Sequence, residues 1–444
     1  MRIASLHMTN RYLKQLNRTF EEKTRLMEQS DGDRIHRPSD DAVGYSKFLR
    51  YSGSLTENTQ YQTNVKTAVS WMKNSDAALA DMTKCFSTIV EKSNAAQGTN
   101  TLSDMKAIAG EMKVMVQQAV ADANTQVDGR YLFSGQSDLV KPYTMSTKLF
   151  DRGLAKTLDD KQTSFFNSGT GDSVTSSSGG ISQMLAMKGS DNNTYYLNTK
   201  TGKIYSKEFM DKGYADKIAA GQTTVQAGDE VGTLAGWSGA TPTETVSKYF
   251  DSQGVIKTPV TSPGSVMVNG QTVNLNFETI KQNIVTYQGD RKNFSMVKEN
   301  GAEQPASDEV NANGVDIMGT SIFDDPSSGN KSSGAAAFND LLTVVAKTEQ
   351  GDSAWESSDG KTLANNAFNI VNNAESKLAA RQQVYTSCQD MLTTMNQSIT
   401  SDITDVHSAD VAKLAVELMQ AQTVYNLSLS VGSRILPPTL ADYL

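Results

Sequence analysis

With 444 residues, of which 38% are hydrophobic and 7% aromatic, the chain can build at least one packed core and is expected to form more than one domain. A formal net charge of -8 without a compensating basic run argues against nucleic acid and against an anionic membrane as partners. Cys85 and Cys388 are too few for a disulfide framework, and His7, His36 and His407 lack zinc-ligand spacing. No apolar stretch or basic-then-apolar start predicts a membrane span or a signal peptide.

Residues 2–28 place Leu6, Leu13, Phe20 and Met27 on a strict seven-residue repeat, with Ile3, Asn10, Asn17 and Thr24 at the alternate position. A helix with so polar a seam is expected to fray alone and to gain order by packing against neighbours. Ser30-Asp31-Gly32 ends it. The stretch from Asp33 to Gly44 reads as a turn in which Pro38 fixes one backbone angle and Ser39 or Asp40 caps the next helix. Asp40 and Asp41 are adjacent, so on a helix their side chains point apart, which suits a cap and not an acid and base sharing one substrate.

Proline is absent from Ser39 through Lys141, and Val65, Met72, Leu79 and Phe86 repeat by sevens with Ala68, Ser75, Met82 and Ile89 between them, predicting a second long helix. Gly98 to Ser103 is a turn, after which Met105, Ile108, Met112, Met115 and Ala119 predict a third helix, antiparallel to the second. Methionines at this spacing read as core, and so do the two cysteines. After Asp128-Gly129 the period changes from helical to alternating. Residues 265–275 predict a hairpin about Asn269-Gly270, and 194–197 with 203–205 predict another through Thr201-Gly202. Ala335-Ala336-Ala337-Phe338 starts the return to helix.

From Lys361 to Val431 neither Gly nor Pro occurs, which predicts one long helix or two. Val371, Leu378, Tyr385, Leu392, Ile399 and Val406 recur by sevens, with Ala374, Cys388 and Met395 three residues after members of the series. The phase then shifts to Val411, Leu418 and Tyr425, with Leu414 beside them. A break is expected there, with Ser408 as N-cap and Asp410 in a first turn. Gly432 and Pro437-Pro438 are expected to stop the last helix. The fold class predicted is α+β: a long antiparallel, coiled-coil-like helical bundle built from both chain ends (residues 1–140 and 336–444), with a mostly β insertion at 141–335. No P-loop, dinucleotide fingerprint, nucleophile elbow or zinc-protease motif is present, so neither catalytic nor cofactor nor metal residues are assigned.

Ser30-Asp31-Gly32-Asp33-Arg34-Ile35, followed by Ser39-Asp40-Asp41-Ala42-Val43-Gly44, resembles the N-terminal signature of the flagellin family of bacterial axial proteins. The run from Asp128 to Gly135, Tyr287-Gln288-Gly289-Asp290, and the ending from Gly432 to Leu444 are similar to the family's hook-filament junction branch rather than to its filament subunits. The resemblance implies a structural subunit, not an enzyme. Its implied partners are neighbouring copies of itself in a ring, a hook-associated adaptor protein on the hook side, flagellin on the filament side and an export chaperone. It also implies type III export without a cleaved signal peptide to the extracellular flagellum. Flagellin, the major filament subunit, is the alternative reading, and an adhesin or needle-tip protein with a coiled-coil stalk a more distant one. The residues expected to carry assembly are Leu6, Leu13, Phe20, Met27, Arg34, Asp40, Asp41, Leu414, Leu418 and Tyr425.

Overall fold

The structure is a computed structural model describing residues 2–98, 100–168, 174–176, 182–237, 245–257, 262–295, 309–324 and 334–435. Six long helices frame it: α1 (Arg2–Glu28), α2 (Ala42–Ala95), α3 (Leu102–Asp122), α4 (Ala336–Gln350), α5 (Lys361–His407) and α6 (Val411–Ile435). Between α3 and α4 lie short strands and short helices, so the chain is helical at both ends and β-rich in the middle, as its composition predicts. By contacts it divides into two units, residues 1–66 with 386–444, and residues 67–385.

In the 67–385 unit the heptad seam of α2 is buried throughout: Ala68, Met72, Ser75, Leu79, Met82, Phe86 and Ile89 are all shielded from solvent. A stripe repeating at three and four residues cannot meet water on a helix without losing roughly 1.5–3 kcal/mol per large side chain, which is why α2 packs along that line. Thr101 and Asp104 form a capping box that starts α3, and α3 runs antiparallel to α2, as the pairs Lys92 with Glu111 and Cys85 with Asp122 show. Its buried stripe is Met105, Ala109, Met112, Val116 and Ala119. Ile108 and Met115, expected in that stripe, are only half-buried, because the small Ala109 and the branched Val116 take the inner positions one residue on. Both cysteines are free and half-buried rather than core residues, and burial beside Asp122 pushes the Cys85 thiol up.

Helix α4 is buried on every side from Ala336 to Thr348. Its apolar residues pack against both helices and strands: the Phe338 ring lies 5.7 Å from Phe86 of α2 and 5.3 Å from Tyr143 of the strand Tyr143–Met145, and Ala346 joins the core with Met184 and Tyr196. Its polar residues dock strands. Asn339 Oδ1 accepts from the Val285 N–H at 2.8 Å, and Asn339 Nδ2 donates to the Val285 carbonyl at 2.9 Å. Arg152, itself buried, donates to Asp340 Oδ1 at 2.8 Å and to Thr343 Oγ1 at 2.8 Å. An all-buried helix with polar residues is stable only when each finds a partner, and the β region supplies those of Asn339, Asp340 and Thr343.

The β region centres on an eight-stranded antiparallel sheet whose main path runs 232–233, 203–206, 194–197, 182–189, 271–277, 264–268. Both expected hairpins are there, 264–268 with 271–277 and 194–197 with 203–206. Asn269 and Gly270 both have positive φ, 50° and 82°, as a type I′ turn requires. The central strand Ser182–Gly189 is covered on both faces: Leu185 and Met187 join Tyr195, Leu197 and Phe277, while Met184 and Ala186 join Tyr196, Tyr205 and Phe166. The two distant motifs of this region meet. Tyr287 Oη lies 3.0 Å from the Phe133 carbonyl, and the Asp290 N–H donates to the Ser134 carbonyl at 2.9 Å.

Helix α5 carries the expected seam, with Val371, Ala374, Leu378, Tyr385, Leu392 and Ile399 buried and Val406 half-buried. Met395 departs from it, exposed at 52%. The break between α5 and α6 falls where expected but is capped otherwise. The Ser408 N–H still bonds to the Thr404 carbonyl, closing α5, and the Asp410 carboxylate accepts from the N–H groups of Ala412 and Lys413, so Asp410 is the N-cap. Gly432 does not stop α6, which continues to Ile435. The absent side chain instead lets the Tyr12 hydroxyl approach, since a Cβ there would collide with it. Pro437-Pro438 and the tail to Leu444 lie outside the described residues. Among the described residues no helix is long and apolar enough to cross a membrane.

Candidate functional site

The site is built in the unit formed by residues 1–66 and 386–444, where α1 lies against α6. The two run antiparallel: Tyr12 Oη donates to the Ser428 carbonyl at 2.9 Å, and the Phe20 and Tyr425 rings are 5.8 Å apart. The α1 face turned to α6 is Thr9, Tyr12, Leu16, Thr19, Lys23 and Leu26, of which only Leu26 is fully buried. The Lys23 ammonium sits 5.0 Å over the Tyr425 ring, a cation–π contact. From α6 the inner face is Leu414, Leu418, Ala421, Tyr425 and Ser428.

The expected assembly residues therefore divide. Leu414 is buried, and Leu418 and Tyr425 are half-buried, in the seam. Leu13, Phe20 and Met27, expected as the seam of α1, are 44%, 53% and 54% exposed. Their heptad is one residue out of step with the Tyr12, Thr19 and Leu26 line that meets α6, a rotation of about 100° on the helix. The Leu6 side chain lies outside the described ones. On α6 the outer face adds Val416, Met419, Val424 and Leu427, with Met419 67% and Leu427 60% exposed. Helix α1 thus turns its more polar stripe to α6, and both helices keep large apolar side chains exposed.

A corner ties the turn between α1 and α2 to the break between α5 and α6. The Arg34 N–H donates to the His407 carbonyl at 2.6 Å, Arg34 Nη2 donates to the Val406 carbonyl at 2.8 Å, and the Ala409 N–H donates to the Gly32 carbonyl at 2.8 Å. Asp33 Oδ1 meets His407 Nδ1 at 2.9 Å, and the His407 ring lies 4.1 Å from that of Phe48. Ile35 is buried in this corner, and a Cβ on Gly44 would collide with it and with Asp41, which accounts for the glycine.

Asp40 and Asp41 have different tasks. Asp41 Oδ1 accepts from the N–H groups of Val43 and Gly44 at 3.1 and 2.8 Å, making Asp41 the cap of α2, where Ser39 or Asp40 was expected. The Asp40 carboxylate closes the turn before it, accepting from the N–H groups of Arg37 and His36, and these hold its carboxyl below the usual range. Arg34 approaches Asp41 at 3.8 Å on open surface, a contact of little energetic weight. Asp31 holds the His36 imidazole at 2.9 Å and raises its pKa, while its own is lowered. Asp31, Asp33 and His36 gather three ligand-capable atoms within 4.8 Å on exposed surface, but Asp31 pairs with His36 and Asp33 with His407, so the group reads as ion pairing.

Sequence reasoning missed Tyr12, Leu26, Asp33 and His407, and also Asn58 and Gln62 of α2, which both donate to the Leu392 carbonyl of α5 at 2.9 Å. Buried Asn58, an amide in an apolar seam, fixes the register of α2 against α5 in this unit.

The family model of the bacterial flagellin N-terminal helical region matches residues 3–138. Flagellar hook-associated protein 3 of Salmonella typhimurium is 28% identical over 150 residues, 33% of this chain and 47% of that relative, so the likeness spans about half of the relative's length. Among solved structures, flagellar hook associated protein-3 of Legionella pneumophila is similar at 10% identity over 81% of this chain and 98% of that one, with a TM-score of 0.38. Xanthomonas campestris FlgL is similar at 12% identity over 80% and 99%, with a TM-score of 0.35.

Proposed function

From the match of residues 3–138 to the bacterial flagellin N-terminal helical region, we propose that this chain is a structural subunit of the flagellum, an adaptor at the hook-filament junction. The observation that carries the reading is the outward apolar surface of α1 and α6. Leu13, Phe20, Met27, Met419 and Leu427 are largely exposed on this pair of helices, although Phe20 also packs on Tyr425, and exposed apolar surface of that kind marks a contact with other chains. Neighbouring copies in a ring cover that surface in the assembled state, with a hook-associated protein on one side and flagellin on the other. The name of the Salmonella relative favours the junction over the filament. The chain travels to the extracellular flagellum by type III export with an export chaperone, and its role there is structural.

Antibody labelling of flagella under the electron microscope tests this. One band at the boundary of hook and filament is expected, and deletion of the gene is expected to leave hooks without filaments and flagellin in the medium. Label along the whole filament would move the assignment to a filament subunit.

A further inference from the structure

In the 67–385 unit one carboxyl group is buried without a counter-ion. Glu356 is fully shielded from solvent, at the start of a wide helical turn, Glu356–Gly360, that leads into α5. Its Oε2 accepts from Ser93 Oγ, near the end of α2, at 3.0 Å. Its Oε1 lies 2.6 Å from Thr348 Oγ1, near the end of α4. Among the described residues no cation comes within 4 Å of it: the nearby Lys347 turns to Asp352 at 3.5 Å and to Glu278 at 4.0 Å, and Lys92 of α2 turns to Glu111 of α3.

The hydrogens can be counted. Thr348 has one hydroxyl proton and two acceptors in reach, the Val344 carbonyl at 2.9 Å and Glu356 Oε1 at 2.6 Å. Both contacts are hydrogen bonds only if the carboxyl brings a proton of its own, donating to Thr348 while Thr348 donates to Val344. An ionised carboxylate here would be a buried charge with two hydroxyls and no partner cation, a costly state.

We propose that Glu356 is a proton-operated lock: as a neutral acid it joins the ends of α2 and α4 to the turn that opens α5, and on ionisation it loosens that joint. The lock stands whether or not the chain works at a junction. Burial pushes the carboxyl up to about 7, helped by the charge of Asp352 and opposed by the Thr348 and Ser93 hydroxyls and by Lys347. Since the ordinary value is 4.5, between pH 4.5 and about 7 the unfolded chain releases this proton while the folded chain keeps it. The stabilisation is therefore complete below pH 4.5 and is lost as pH rises to about 7, a change on the order of a hundred- to a thousand-fold in the ratio of folded to unfolded unit.

The test compares the full chain with Glu356→Gln by denaturant unfolding from pH 4.5 to 8. Glutamine reproduces the neutral acid, its carbonyl accepting from Ser93 and its amide donating to Thr348. The variant is expected to match the parent at the acid end and to exceed it on the order of a hundred-fold or more in folded ratio at pH 8. Parallel pH profiles for the two proteins would overturn the proposal. A local measurement on the parent decides even if the variant fails to fold. Amide exchange of residues 344–360, corrected for its intrinsic pH dependence, is expected to accelerate between pH 4.5 and about 7 and to level off above that, and an unchanged corrected rate would overturn the lock.

Discussion

The two units use the same seven-residue repeat in opposite ways. In the 67–385 unit the repeat of α2 is the inside: Met72, Leu79 and Phe86 are fully buried and α3 and α4 complete the layer. In the terminal pair the repeat of α1 is largely exposed: Leu13, Phe20 and Met27 keep 44–54% of their surface in water, Phe20 at the edge of the contact beside Tyr425, while Tyr12, Thr19 and Leu26 face α6. A heptad stripe announces that a surface will be covered, but not by what. Cover from within the chain gives a self-sufficient core, whereas cover from outside leaves a marginal pair that reaches full order only among neighbours.

The largest expected break on the self-sufficient side is Asp340→Ala. It strands the buried Arg152 guanidinium and is expected to cost about 3–5 kcal/mol in the calorimetric transition of the 67–385 unit, leaving the terminal pair unchanged. A loss below about 1 kcal/mol would show that water reaches the pair. On the terminal pair, Leu26→Ala is expected to cost about 2 kcal/mol, the low end for a buried leucine, whereas Leu13→Ala stays within about 0.5 kcal/mol in the monomer. Amide exchange along α1 reads both, and the reverse order would restore the seam at Leu13. Asp41→Ala, which removes the cap of α2, is expected to cost about 1 kcal/mol by denaturant titration, and an effect confined to Asp40→Ala would move the cap back to Asp40. The smallest effect is a pH shift. His36 should titrate above its ordinary 6.5, and Asp31→Asn should bring it back. The raised value means that whatever this contact adds is present below 6.5 and fades as pH rises through the folded value. Proton NMR of the imidazole measures it, and an unchanged midpoint in the variant would remove Asp31 as the cause.

The α5 seam was legible because its period is long and uninterrupted and because Val371 through Ile399 turned out to be the buried line. The α1 seam is one residue off for a physical reason: the strongest apolar repeat there is the exposed one, and the line facing α6 includes Thr9, Thr19 and Lys23, which look like solvent positions. Helix α4 was legible only as a return to helix. Nothing in the sequence marks Asn339, Asp340 and Thr343 as docking points, because their partners Val285 and Arg152 lie far away in the chain. The caps show the limit at single-residue scale. Of the neighbours Asp40 and Asp41, backbone angles decided which one reached the first N–H groups of α2, and composition is blind to that choice.

The corner where Arg34 meets Val406 and His407 joins residues 372 and 373 positions apart in the sequence. During synthesis the first half of the terminal unit, ending at residue 66, leaves the ribosome long before the second half begins at residue 386. At ordinary translation rates of about 5–20 residues per second, the interval is roughly 15 seconds to a minute. For that time α1 has no α6, and Phe20 and Met27 are exposed together with Leu26, which the finished fold hides. A newborn chain is thus at its stickiest before its last helix exists, and a companion that shields the early segment would act in that window rather than after folding.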